Sequence, residues 1–493
     1  MTSITFEVID HLNFVSTKTS INLNPMKINN HLAIITICTA LFCPLAGHAT
    51  PGITATNSGN WGDPTIWEGG IVPGTNVYAD IPLGINVTVT TNAYVQYLQD
   101  LGTVTMAPNS TLYVVGDTNG AHGTFELGLL DTSATGNTVV FSGNAFWAMH
   151  QNYYNLVFNG GGNFYNGEIG EDFYNDGAFA MTIAGNMTVA GHVGLVQEGD
   201  DITVNGDLNL GGPGVSNFVW DCSSFNLNVH GNTIIGNGAK ITDYDGAHGN
   251  DNFNNLTVNS GGTLYILDST NWYVLGNLTN AGGSLYGIGF AQINFDGTGN
   301  ITGSSFTLPT FNMTGTYTIG TTINCNTNTP GLNGTLVFDL ANPGQLTVAA
   351  NAATGPTFYY STSGNLDVIN SGPSPAPGAN FQFFNAQSYA GNFASISLPS
   401  LPSGLSWVNN LATSGSITVL GSLPGPVLTL SRNGGQLTLS WNSATYPGYE
   451  VLAQTNKTGL GGTWTAVGSG TVSPYMVTIN PANPPVYFRL SNP

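Results

Sequence analysis

The sequence predicts an all-β chain, a right-handed parallel β-helix (a β-solenoid) followed by a small β-sandwich, on three observations. The first is a phrase that keeps returning between Met181 and Thr302: Gly185-Asn186-Met187-Thr188, Gly206-Asp207-Leu208-Asn209, Gly231-Asn232-Thr233-Ile234, Gly276-Asn277-Leu278-Thr279 and Gly299-Asn300-Ile301-Thr302. Successive copies lie 21, 25, 45 and 23 residues apart, and 45 is close to two copies. A period of roughly 22 residues is what stacked strand repeats produce. The second is alternation around each copy: Ile202, Val204, then Leu208, Leu210; Ile293, Phe295, then Ile301. Period two puts one set of side chains inward and the other in water. The third is composition. Of 493 residues 66 are Gly and only 6% are charged, yet 41% are hydrophobic and 11% aromatic. Disorder goes with low hydrophobicity and high charge, so this chain is corner-rich and buries a core. The Gly-Asn pairs read as corners because both residues tolerate a positive φ.

Charge narrows the partners. Lys and Arg number 6 against 26 Asp and Glu, for a net charge of −20. Nucleic-acid binding needs basic groups on phosphates, and a polybasic membrane patch needs the same residues; both are excluded. An extracellular glycan or a cell surface fits this balance better. Met26-Lys27, the apolar run from Leu32 to Leu45 and the small-residue end Gly47-His48-Ala49 compose a signal peptide cleaved after Ala49. On this reading Met26 is the start of translation, residues 1–25 are an upstream segment, and the product is secreted, of bacterial type. No later apolar run reaches the roughly 18 residues that cross a membrane. Cys38 and Cys43 leave with the signal. Cys222 and Cys325 remain, 103 residues apart, too many rungs for a disulfide unless the chain doubles back; two buried thiols are expected.

The solenoid is expected over residues 50–348. It opens with Asn60-Trp61-Gly62-Asp63-Pro64-Thr65-Ile66-Trp67, whose tryptophans suit a lid over the first rung. With Gly84-Ile85-Asn86-Val87 it resembles the opening of the eight-glycine domain and related secreted bacterial β-helix proteins, a likeness that implies an extracellular, surface-associated protein. Rungs follow at Val95 to Leu101, Thr103 to Met106 and Thr111 to Val115, and Asn155-Leu156-Val157-Phe158 is echoed by Asn255-Leu256-Thr257-Val258. About 13 turns to Val348 would make a rod on the order of 60 Å long.

Residues 349–420 read as terminal rungs and a β-hairpin cap. Leu366 to Ile369 and Phe381 to Phe384 flank Pro373, Pro375 and Pro377, as two strands joined by a stiff turn. Tyr389-Ala390-Gly391-Asn392-Phe393 and Leu398-Pro399, then Leu401-Pro402-Ser403-Gly404-Leu405-Ser406-Trp407, resemble the closing segment of secreted proteins with autotransporter-associated β-strand repeats. A true autotransporter ends in a membrane barrel of amphipathic strands, and no such stretch fits after Val419. Residues 421–426 are a Gly/Pro linker. In 427–493, Leu437-Thr438-Leu439-Ser440-Trp441 followed by Tyr449-Glu450-Val451 is similar to a fibronectin type III sandwich. Such modules act as spacers or anchoring tags.

These features imply a structural or adhesive surface protein with no catalysis expected; the alternative is a polysaccharide-degrading β-helix enzyme, a glycoside hydrolase using an aspartate pair. The aspartates are Asp200 and Asp201, with His248 beside them. Gly199-Asp200-Asp201 is similar to the aspartates of polygalacturonase-type solenoids, and Ala247-His248-Gly249 partly matches their Gly-His-Gly, but their Arg-x-Lys is missing. An acid and a base must face each other across a cleft with separated pKa values, and a solvated corner uses the same residues. Lyase chemistry would need a base near the abstracted proton, and Lys240 is the one basic residue in the solenoid sequence. Asp243, Asp245 and Asp251 cluster oxygens that could hold calcium, without the full loop pattern; otherwise no cofactor is implied. Glu171, Asp172 and Tyr174 are candidates for a sugar-binding shelf, against an exposed loop. His122, His150, His192, His230 and His248 show no ligand spacing.

Overall fold

The computed structural model describes residues 5–8, 17–20, 52–100, 102–116, 125–126, 129–142, 152–160, 180–191, 194–196, 201–212, 215, 218–221, 226–242, 250–266, 271–287, 292–308, 310–325, 330–348, 357–421, 425–455, 463–467 and 473–492. It contains two compact units, Met1–Pro51 and Gly52–Pro493. In the first, Thr5–Val8 pairs antiparallel with Thr17–Ser20; the expected signal segment lies outside the described residues.

The second unit is a parallel β-helix. Each turn of chain lays down short strands that pair with the strands one turn before and one turn after. The longest sheet begins at Asn92–Val95 and Thr111–Val114, continues through Thr138–Phe141, Asn155–Phe158, Met187–Val189 and Leu208–Leu210, and reaches Ser395–Ser397. Among the described pairings nothing joins its first strand to its last, so it is an open stack and not a closed barrel. Leu227–Ile235 and Asn250–Asn259 are long because each runs round a corner: the first half pairs with one face and the second half with the next. Leu227, Val229, Thr233 and Ile235 point inward on either side of the exposed His230 corner. A third face stacks Phe218–Asp221, Ala239–Thr242, Thr263–Ile266 and Ser284–Gly287.

Alternation explains the core. Inward side chains of successive rungs, such as Leu208, Leu256, Leu278 and Ile301, are fully enclosed and join one hydrophobic cluster that extends from Ile53 to Ile417. Aromatic rings pile rung on rung within it, as in Phe141 on Phe158 with centroids 5.4 Å apart. At the first coil Trp61 and Trp67 are both buried, edge to face at 5.1 Å, and Trp67 Nε1–H donates to the Trp61 carbonyl at 2.8 Å. At the other end Phe338, Phe358, Tyr360, Phe384 and Phe393 fill the last coils.

One expectation is corrected. The Gly-Asn corners do not use positive φ: Gly185, Gly206, Gly231, Gly276 and Gly299 are absent from the left-handed region, and Asn109 is the one described non-glycine residue there. They are glycine because the neighbouring rung is too close. A Cβ on Gly231 would collide with the carbonyl oxygen of Gly206, and one on Gly299 with that of Gly276. The two strands joined through Pro373 belong to different sheets. Asn365–Ile369 is a parallel rung between Thr335–Asp339 and Ser395–Ser397, whereas Asn380–Gln382 joins the antiparallel hairpin of Leu405–Asn410 and Ser416–Gly421.

Beyond the linker, Thr429–Asn433, Gln436–Ser440 and Tyr475–Thr478 form one antiparallel sheet, and Thr465–Ala466, Glu450–Thr455 and Val486–Ser491 a second. Their facing sides share a small core around Leu439, Trp441 and Val451. The strand Thr429–Asn433 is not among those the sequence pattern announces; Gly434-Gly435 turns it back onto Gln436–Ser440.

Candidate functional site

The repeated phrase builds a ladder of side-chain amides along one edge of the long sheet. The backbone N–H of Asn186 donates to Asn155 Oδ1 at 2.9 Å, that of Asp207 to Asn186 Oδ1 at 2.8 Å, and that of Asn232 to Asp207 Oδ1 at 2.8 Å. Asn255 Nδ2–H donates to Asn232 Oδ1 at 3.1 Å; the N–H of Asn277 reaches Asn255 Oδ1 at 2.8 Å and that of Asn300 reaches Asn277 Oδ1 at 2.9 Å. Each rung is thus tied to the previous one through an acceptor that sits outside the sheet's own bonding. Asn255 is the copy missing from the 45-residue interval. Asn254 stands where the other copies have glycine, which hid it, although the Asn-Leu echo with Asn155 pointed to it.

A second, shorter ladder uses Asp201. Its Oδ1 accepts the Asn226 N–H and its Oδ2 the Asn226 Nδ2–H, both at 2.9 Å, and Asn226 Oδ1 in turn accepts the Asn250 N–H at 2.6 Å. Asp201 therefore holds a corner as Asp207 does. Asp200 and His248, its expected companions, lie outside the described residues. Of the three calcium candidates, Asp243 and Asp245 also lie outside them. Asp251 is 2% exposed in the strand Asn250–Asn259, where its Oδ1 accepts the Leu227 N–H at 2.8 Å. Among the described residues no group of three or more His, Cys, Asp or Glu side chains could hold a metal. Glu171, Asp172 and Tyr174 are again outside them, as are His122, His150, His192 and Cys222. His230 Nδ1 bonds Asn205 Oδ1 at 2.9 Å.

Lys240 lies 4.6 Å from the centroid of the Tyr265 ring, which packs against Tyr286 in the next coil with the two rings tilted by 34°. This is a cation–π contact on the outer surface, occupying the single basic residue expected in the solenoid. Cys325 is a free, fully buried thiol opposite Val348, and burial pushes its pKa up to about 12. Burial also pushes the Tyr317 phenol up to about 12; its hydroxyl donates to the Val274 carbonyl at 2.5 Å.

The outward rank beside the main ladder is Thr188, Asn209, Ile234, Thr257, Thr279 and Thr302, in register from rung to rung. It is uncharged, with mostly short or β-branched side chains. No family model, characterised protein or solved structure matches the chain.

Proposed function

We propose that the protein is a secreted structural or adhesive surface protein whose working part is the solenoid itself. The observation that supports this most is the amide ladder running beside a continuous parallel sheet. Every rung from Asn155 to Asn300 is tied to its neighbour both by backbone pairing and by a side chain. Such a coil is hard to bend locally, because displacing one rung breaks two independent sets of bonds. It presents a regular, uncharged outer rank, and its first coil is closed by the Trp61 and Trp67 lid. Stiffness, regular display and a closed end suit an object that spaces or holds other surfaces. The six basic residues and net charge of −20 turn it away from polyanionic partners. The small C-terminal sandwich fits a spacer or anchoring role, and the region up to Ala49 fits an export signal.

The deciding experiment incubates the full chain with a panel of particulate plant and algal polysaccharides and reads two signals. Retention of intact protein without new reducing ends supports adhesion, and neither signal supports the purely structural form. Reducing-end release that disappears in Asp201→Asn would overturn the reading in favour of a hydrolase. Mass spectrometry of the exported protein should find a new amino terminus at Thr50; an uncut product retained in the cytoplasm would remove the secreted assignment.

A further inference from the structure

The ladder amides are all engaged, which sets apart a place where neighbouring amides are not. A groove of about 670 Å³ crosses four successive coils at the corner between the long sheet and the third face. Asn209 and Gly212 line it from the first coil, Ile234 and Asn237 from the second, Asn259 from the third and Ala281 from the fourth. No hydrogen bond joins the side chains of Asn209, Asn237 and Asn259 to another described residue. The floor is kept low by Gly212, whose φ of +147° admits only glycine and around which a Cβ would meet nothing within 4 Å. No charged side chain lines the groove.

We infer that this groove binds a short stretch of neutral, extended glycan, an inference that rests on the surface-protein reading and gives its adhesive form a ligand class. Three points of chemistry lead there. The open amides offer both donors and acceptors, the combination that pairs with hydroxyl groups. Ile234, Ala281 and the glycine backbone offer flat apolar contact for the C–H faces of sugar rings. Each of the four coils, roughly 4.8 Å apart, contributes at least one polar or apolar group to the lining, a spacing close to the advance of an extended glycan per sugar, so a chain laid across them meets a contact from every coil. A polyanionic glycan is disfavoured because no cation lines the groove and the chain carries a charge of −20.

Calorimetric titration of the full chain with cellohexaose and mannohexaose, and with hexagalacturonate as the charged comparison, tests this. At least one neutral hexasaccharide should bind and the hexagalacturonate should not. The double variant Asn209→Ala/Asn237→Ala should weaken binding about tenfold, the effect of losing two modest hydrogen bonds. Thr302→Ala, on the same outward rank but away from the groove, should leave binding unchanged. Both variants alter partly or fully exposed side chains, and an unchanged melting temperature shows that they fold. Absence of binding by both neutral hexasaccharides, or binding that the double variant does not weaken, overturns the inference. Retention on particulate polysaccharide that persists undiminished in the double variant overturns the groove alone and leaves the adhesive reading standing.

Discussion

The solenoid and the C-terminal sandwich solve the same problem, burying apolar side chains between β-sheets, in opposite ways. In the solenoid each rung is a small addition to one hydrophobic cluster from Ile53 to Ile417, and stability accumulates along the chain as in other stacked repeats. The sandwich has its own cluster centred on Leu439, Trp441 and Val451, and its strand Thr429–Asn433 is exposed at every position. The solenoid thus resists local damage by redundancy between rungs, while the sandwich depends on few residues. The two clusters share no member, so the regions should unfold in separate steps.

The largest expected separation comes from Phe295→Ala. Phe295 is fully buried between Phe311 at 5.7 Å and Tyr317 at 5.2 Å. Its loss should cost the solenoid about 3–5 kcal/mol. In denaturant melts the solenoid step should move while the sandwich step stays; a joint shift would show that the clusters unfold as one.

A glycine pair sharpens the comparison. Gly231→Val drives a side chain into the Gly206 carbonyl and should cost about 3 kcal/mol, near the upper end for overpacking. Gly435, in the sandwich hairpin, has no positive φ, and a Cβ added there would meet nothing within 4 Å. Gly435→Ala should therefore stay within about 0.5 kcal/mol. Equal effects of the two would argue that rung proximity does not explain the repeated glycines.

Alkali should also discriminate. The Cys325 thiol is raised from 9.0 to about 12 by burial, so above pH 9 the unfolded chain releases a proton that the folded chain keeps. Stability is whole below pH 9 and falls as pH rises from there toward 12, by roughly 2–3 kcal/mol at pH 11 for this group. Tyr317, raised by burial in the same direction, begins to contribute above pH 10. Cys325→Val should flatten the solenoid's pH dependence between 9 and 11; a slope identical to that of the unchanged protein would show that the thiol is not the source.

How much of this was legible in the sequence follows from what sequence patterns encode. Alternation at Ile202, Val204, Leu208 and Leu210 fixed which side chains face the core, because period two has one structural meaning at that strand length. The glycines were located but misexplained. Their cause is the distance to the next rung, roughly twenty residues away in sequence, and a local φ argument cannot see it. A corner was already one reading of Asp201, but its partner was out of sight for the same reason: Asn226 lies 25 residues on and becomes a neighbour only once the coil closes. Asn209, Asn237 and Asn259 could not be grouped at all, since nothing in a row of asparagines separates those bonded along a ladder from those left open at a groove.

The smallest effect probes the ladder itself. Asn232 sits mid-ladder, donating its N–H and Nδ2–H to Asp207 Oδ1 at 2.8 and 2.9 Å and accepting from Asn255 at 3.1 Å. Asn232→Ala removes the side-chain donor and acceptor but keeps the backbone bond to Asp207. The residue is exposed, so water replaces part of what is lost, and the cost should be about 1–2 kcal/mol. Asn232→Asp keeps the acceptor for Asn255 but sets a second carboxylate against Asp207, so its penalty should shrink as salt is added. A salt-independent loss in Asn232→Asp, equal to that in Asn232→Ala, would mean that the donor to Asp207 is the whole of the ladder's contribution. A loss relieved by salt would mean that the amides are needed here because a row of carboxylates repels itself.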